Sequence, residues 1–431
     1  MSNVGRMTII SFILFMSLGV TGPVSSLYVA SLGANYVEIG LLGTVTSLTV
    51  IVFGFVWGQA SDRFGGRKAF LVTGLAAMAL INAMIAAAPS YQYLFPLRAL
   101  GAVAMAAYTT SSLALMGDLL EQRGEARGRR MGVYRGLGSL GFGLMAFASG
   151  SIADWLSLRA PFAMAALFLL VAFVLSLTIK EPRLSLRARP RPYASMRALL
   201  VVMGRGSVAA LNSLSAVLRP RADTPAGERS GGDSGDVQRL PLTPLLVSAL
   251  LWSLVTGAVY AVWANYMVDE LGYSQSAMSR LWAIASLSEF PLMIAAGWLS
   301  DRLGRLEVLC LGFISWTAVF AGYVLVPWMP GILVIQLTRG FAYSAYTAAA
   351  MTYATEVRSR EQRGMASGLY NSAGGLGAIL GSSMGGIQTQ LMGFQAMFLT
   401  NAAVIFGGAV YLAATARQLR IGKARIVQRQ S

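Results

Sequence analysis

Twelve apolar runs separated by short polar turns set the terms on which this chain can fold. A helix that crosses a bilayer needs roughly 20 predominantly apolar residues. The first six runs span approximately 7–30, 37–59, 69–88, 91–117, 130–153 and 160–180, and the second six approximately 242–268, 277–299, 306–326, 329–355, 363–387 and 393–416. Inside hydrocarbon, backbone N–H and C=O groups must be satisfied within the spanning element itself. The expectation is therefore an all-α integral membrane protein with twelve transmembrane helices. Composition agrees: 55% of the 431 residues are hydrophobic and 12% are charged, against about 25% charged in a soluble domain. The first run follows Arg6 and resembles a signal peptide, but it continues to about Ala30 and is read as a retained first helix.

Loop charges set the orientation. The turns after helices two, four, eight and ten carry Arg63, Arg67, Lys68, Arg123, Arg127, Arg129, Arg130, Arg302, Arg305, Arg358, Arg360 and Arg363. The opposite turns carry Glu38, Asp154, Asp269 and Glu270, with Arg159 as the clear basic exception. Lys and Arg are retained in the cytoplasm. Both termini and the basic turns are expected there, in a multi-pass protein of a prokaryotic plasma (inner) membrane. The net charge of +16 is thereby explained by topology, and nucleic acid is not an expected partner. With no histidine and one cysteine, Cys310, the chain can form no intramolecular disulfide and no histidine-based catalytic pair. Neither a metal centre nor another cofactor is expected.

Residues 181–241 differ from both flanks, being rich in Arg, Pro, Ser and Gly. They are expected to form a basic, partly disordered cytoplasmic linker. A thirteenth span there is opposed by Arg197, Arg205 and Asn212. An odd number of spans would also invert the second half against its own loop charges. Residues 1–180 and 242–416 then form two bundles of six helices, and 417–431 form a basic cytoplasmic tail.

The halves repeat. Gly58-Gln-Ala-Ser-Asp-Arg-Phe-Gly-Gly-Arg-Lys68 returns as Gly297-Trp-Leu-Ser-Asp-Arg-Leu-Gly-Arg305, displaced by 239 positions at Gly58, Asp62 and Gly65. Glu121-Gln-Arg-Gly124 returns as Glu361-Gln-Arg-Gly364, and Arg98 has Arg339 at a displacement of 241. On these motifs the chain resembles the major facilitator superfamily over nearly its whole length. Gly58, Asp62, Arg63, Gly65, Arg67 and Lys68 resemble the signature between that family's second and third helices, with Gly66 where another basic residue is common. Gly297, Asp301, Arg302, Gly304 and Arg305 form its second copy. The resemblance implies two pseudo-symmetric six-helix bundles related as parallel repeats. It also implies a cytoplasmic gate, in which the arginines bridge to carboxylates of the other bundle. A purely topological anchor is the alternative reading of the same residues.

Other residues carry candidate chemistry. Arg98, in Arg-Ala-Leu-Gly, resembles the helix-four arginine motif linked in that family to proton coupling, with its glycine one residue early. Arg339 lies deeper in its helix, and Arg135 sits one turn into helix five where the second half has Asn371. Glu289 falls near the middle of helix eight, two residues before Pro291. Intramembrane ionisable groups are expensive, which makes them functional candidates. The family's antiporter signature is absent from Gly136–Gly150, where Met145-Ala146 and Ser149-Gly150 stand at its positions. Tyr28, Trp263, Asn265, Tyr266, Tyr343, Tyr346 and Asn371 are candidates for a substrate cavity. The expected function is secondary active transport of a small organic solute by a monomer. Protons are the expected coupling ion, and efflux is slightly favoured over uptake of a sugar, nucleoside or organic acid. A non-transporting sensor or assembly factor is the alternative of another class.

Overall fold

The computed structural model describes residues 2–64, 67–121, 127–179, 241–356 and 363–430. Their regular structure is helical. Ten stretches are long and apolar enough to cross a membrane. Gly393 divides one of these in two, and the 28-residue Met329–Glu356 adds another, which yields the twelve spans expected. The helices are α1 (Asn3–Thr21), α2 (Ser25–Ser31), α3 (Tyr36–Phe64), α4 (Arg67–Ala86), α5 (Leu94–Glu121), α6 (Arg127–Trp155) and α7 (Ala160–Leu177) in the first half. The second half has α8 (Leu242–Asn265), α9 (Gln275–Leu303), α10 (Arg305–Leu325), α11 (Met329–Glu356), α12 (363–392) and α13 (394–430). The first span is α1 and α2 together, broken at Gly22-Pro23-Val24. The expected linker lies outside the described residues apart from Pro241.

Local chemistry explains the boundaries. Ser2 and Ser274 cap α1 and α9, each hydroxyl accepting from the N–H three residues on at 3.1 Å. Gly33 and Gly272, 239 positions apart, turn the chain after the first and seventh spans with φ of 91° and 69°. Such angles favour glycine. The repeated polar motifs, expected in turns, prove largely helical: α3 continues to Phe64, and α9 runs to Leu303. Gly304, with φ 111°, alone separates α9 from α10.

Within each half the same contacts recur at one displacement. The Tyr28 hydroxyl donates to the Ile85 carbonyl at 2.6 Å, and the Tyr266 hydroxyl, 238 positions on, donates to the Tyr323 carbonyl at 2.6 Å. Gly74 lies against the backbone of Ala104 and Tyr108, as Gly312 lies against Ala342 and Tyr346. In the first half α1 packs on α6 and α7, and α5 on α3 and α4. In the second half α11 packs on α9 and α10. A glycine seam joins α12 to α8. A Cβ on Gly377, Gly381 or Gly385 would strike the carbonyl oxygen of Leu250, Leu254 or Ala258 respectively.

The bundles meet along α3 with α12 and α6 with α9, and they meet chiefly at one end. There Gly40 faces the Ser382 carbonyl, Gly386 faces Tyr36, and Gly150 faces the Gln275 carbonyl, each too closely for a side chain. Thr44 and Ser383 hydroxyls lie 2.5 Å apart. The Gly150 N–H donates to Ser279 Oγ at 3.0 Å, and Asp154 Oδ2 accepts from the Ser276 N–H at 2.9 Å. Along α3 and α12 the contact reaches Ile51 against Gly375. Beyond it, Gly54 and Gly368, like Gly136 on α6 and Gly297 on α9, have no atom within 4 Å of a Cβ position. Among the described residues, the contacts between the bundles gather at one end.

Candidate functional site

Between the bundles lie two cavity lobes, of about 350 and 440 Å³. Gly257, Tyr260 and Trp282 line both. The larger lobe takes its walls mainly from the second half. Trp252, Thr256 and Tyr260 follow one another at four-residue steps, so one face of α8 turns towards it. Trp282, Ser286 and Glu289 come from α9, Trp316 from α10, and Arg339 and Tyr343 from α11. The first half adds Phe142.

Arg339 is buried, and its guanidinium carbon lies 4.7 Å from the Trp282 ring centroid and 5.2 Å from that of Tyr260. Those two rings meet edge to face at 5.4 Å. A desolvated cation–π contact is worth about 2 kcal/mol, so the two faces offset part of the cost of burying this charge. Gln336 Oε1 accepts from Arg339 Nη1 at 3.2 Å. Glu289 lines the same lobe and interacts electrostatically with Arg339 without a direct ion pair. Pro291 cannot donate to the Leu287 carbonyl, which loosens α9 beside Glu289. The Ser344 hydroxyl donates to the Glu289 carbonyl at 3.1 Å, tying α11 to this turn. The Tyr260 hydroxyl and the indole N–H groups of Trp252 and Trp316 are buried and have no partner within the protein. Buried polar groups are nearly always satisfied, so these three are exceptions beside the cavity.

The smaller lobe extends towards the end where the bundles meet. Arg98 points into it, donating to Ser25 Oγ at 2.5 Å, with its guanidinium 5.7 Å from the Phe162 centroid. The repeated contacts fix α5 and α11 at a displacement of 238, so Arg98 corresponds to Gln336 and Arg339 to Gly101. The two arginines paired at 241 are thus one turn out of register.

Of the expected cavity residues, Tyr343 lines the larger lobe. Tyr346 lies behind it, stacked on Trp252 at 4.3 Å and hydrogen-bonded to the Tyr370 hydroxyl at 3.1 Å. Tyr28 and Tyr266 spend their hydroxyls on the repeated carbonyl bonds. Trp263 is fully buried against Trp282, and the Asn265 amide donates to Asp269 at 3.1 Å. Asn371 is exposed and lines neither lobe. Trp252, Tyr260, Trp282 and Trp316 were not singled out from the sequence. Stepping back along α9 from Glu289 at helical spacing would have reached Trp282, and the Trp252–Thr256–Tyr260 face was readable in the same way.

The repeated motif makes its described contacts within each half. Arg67 pairs with Asp118 and donates to the Ala114 carbonyl at 2.9 Å, and Lys68 donates to the Leu177 carbonyl at 2.9 Å. Arg305 is bidentate to Glu356 at 2.9 and 3.1 Å and also pairs with Asp301 at 2.7 Å. Arg67 with Asp118 and Arg305 with Glu356 are one interaction repeated 238 positions on. The described partners of Arg67 and Arg305 lie in their own halves. Arg302 lies over the Trp298 ring at 4.0 Å. Gly58 and Gly297 lie within α3 and α9. Gly65, and the side chains of Asp62, Arg63 and Arg135, lie outside the described residues.

Two bundles of transmembrane helices around a shared central cavity define the architecture of a solute carrier. The chain belongs to the major facilitator superfamily: the profile of the MFS_1 like family matches residues 5–400. It is similar to the multidrug resistance protein MdtG of Enterobacter lignolyticus (strain SCF1), 25% identical over 92% of this chain and 88% of that protein. It is also similar to the maltose permease of Geobacillus stearothermophilus, 24% identical over 95% of this chain and 93% of that protein. Among solved structures, the nucleoside transporter NupG shares its fold with a TM-score of 0.76 and 16% identity, over 96% of this chain and 99% of that one.

Proposed function

We propose that this chain is a proton-coupled secondary transporter of a small organic solute, acting as a monomer whose bundles rock about the central cavity. One observation carries the reading: Glu289 and Arg339 line the same inter-bundle cavity, among aromatic walls. A carboxylate that exchanges a proton beside a fixed cation can link solute binding to the proton gradient. The end away from the inter-bundle contacts bears the basic turns and is read as cytoplasmic, which makes this the inward-open state. The arginines of the repeated motif would then exchange partners when that end closes, latching the bundles. The MdtG relatives support efflux, and the likeness to maltose permease supports uptake as the second reading.

Proteoliposomes under an imposed pH gradient test this. Glu289→Gln is expected to abolish pH-driven accumulation while sparing solute exchange, and equal loss of both would remove the proton role. Asp62→Asn is expected to raise cysteine labelling from the cytoplasmic side, and unchanged labelling would reduce the motif to an anchor.

A further inference from the structure

We propose that the smaller lobe is an anion subsite centred on Arg98, and that the solute is a small organic anion whose ring lies in the tryptophan-lined lobe. This rests on reading the inter-bundle cavity as the solute site.

The two cavity arginines are held differently. Arg339 has two aromatic faces, Gln336 and the field of Glu289 to offset its charge. Arg98 has one serine hydroxyl, a more distant phenyl ring and the neighbouring Tyr28, with no carboxylate. The lining of its lobe contains no acid; its other polar side chains are all neutral, namely Ser26, Thr46, Ser47, Tyr260, Trp282 and Ser382. Arginine within a span is costly and ordinarily pairs with an acid or reaches for the interface. Arg98 does neither, since its guanidinium turns inward to Ser25 and the cavity. A carboxylate, sulfonate or phosphate entering the lobe would supply the missing countercharge. It would meet a planar fork of donors suited to paired oxygens, with the hydroxyls as further donors.

The rest of the solute follows from the neighbouring lobe. Tyr260 and Trp282 border both spaces, so one molecule can place its charge at Arg98 and its body against the rings of the larger lobe. There Glu289 and Arg339 oppose each other in charge, which leaves that lobe suited to a neutral ring. Across both lobes the described lining carries two guanidinium groups against one carboxylate.

The test is binding to the full chain in lipid nanodiscs, read by thermal stabilisation. The probes are matched pairs that differ in charge: phenylacetate with phenylacetamide, 4-hydroxybenzoate with 4-hydroxybenzamide, and toluenesulfonate with toluenesulfonamide. The expected result is that at least one anion binds tenfold or more tightly than its amide. Arg98→Gln should reduce the anion to the amide's affinity while changing the amide less than about twofold, and Arg98→Lys should keep part of the preference. If Arg98→Gln does not fold, Ser47→Asp cancels the lobe's charge from a different position and should remove the same preference. Amides that bind as well as their anions, no binding by any anion, or a preference that survives both Arg98→Gln and Ser47→Asp would each overturn the subsite. Amide binding without anion preference would leave the cavity reading standing, and unaltered pH-driven accumulation in Glu289→Gln would remove the proton role independently. A purely coupling role for Arg98 predicts equal loss for anions and amides and is thereby distinguished.

Discussion

Where the N-terminal half has Leu14, Gly22 and Met78, the C-terminal half has Trp252, Tyr260 and Trp316, 238 positions on. At the displacement of the polar motif Glu289 corresponds to Val50, and in the register of α5 and α11 Arg339 corresponds to Gly101. Yet the paired tyrosines, the turn glycines and the arginine–carboxylate contacts recur with little change. The repeat therefore keeps what holds each bundle together, while the second half supplies most of the aromatic and charged lining of the cavity. The first half contributes Arg98 and a wall of small residues and hydroxyls. A repeat constrains packing at both of its copies, whereas a solute needs its recognition groups once.

The comparison can be broken most forcefully at the glycines. Gly143 and Gly381 correspond, but a side chain at Gly381 meets the Leu254 backbone, and one at Gly143 meets the movable Leu287 side chain. Overpacking typically costs about 1–3 kcal/mol and occasionally more. Gly381→Val is expected at or above about 3 kcal/mol, and Gly143→Val below about 1.5 kcal/mol, read from detergent-solubilised thermal unfolding. Equal losses would mean that the α8–α12 seam is no tighter than the bundle interface.

A finer test uses the tyrosines. Tyr28→Phe and Tyr266→Phe should each cost about 1 kcal/mol, the usual worth of such a hydrogen bond, and by similar amounts. A large inequality would show that the repeated geometry conceals unequal roles. Tyr260→Phe should leave stability within about 0.5 kcal/mol, because its hydroxyl has no protein partner to lose, yet weaken solute binding. Unchanged binding would remove that hydroxyl from the recognition set. The smallest effects belong to the ion pairs. Double-mutant cycles should give about 1 kcal/mol for Arg67 with Asp118 and about half that for Arg305 with Glu356, whose carboxylate is 44% exposed. The reverse order would mean that bidentate geometry outweighs burial here.

Span number, the duplication and the family were legible because each rests on periodicity or on a repeated polar motif. Charge inside a membrane is rare enough to be read directly, which is why Glu289 and Arg339 stand out in the sequence. Aromatic rings gave less away. In an apolar helix a tryptophan facing a cavity and one facing a neighbouring helix look alike in sequence, so the sequence does not separate the buried Trp263 from Trp252 and Trp282, which line the space. The register of Arg98 was hidden for a related reason. A slip of three residues is nearly one helical turn, and it keeps a side chain on a similar face while moving it along the membrane normal. Tertiary contacts such as the paired tyrosines are needed to resolve it.

The excess guanidinium in the cavity lining also has an electrical consequence. A unit charge moved through the full membrane field is worth about 2.3 kcal/mol per 100 mV. In the proposed cycle each reorientation would change which side of the field the cavity senses, so the unloaded carrier would bear a gating charge. An inside-negative potential would hold the empty carrier facing inward, and an anionic cargo would cancel that charge and let the loaded carrier reorient with little regard to voltage. The return of the empty carrier, measured as a transient current in the absence of solute, would then be the voltage-dependent half of the cycle.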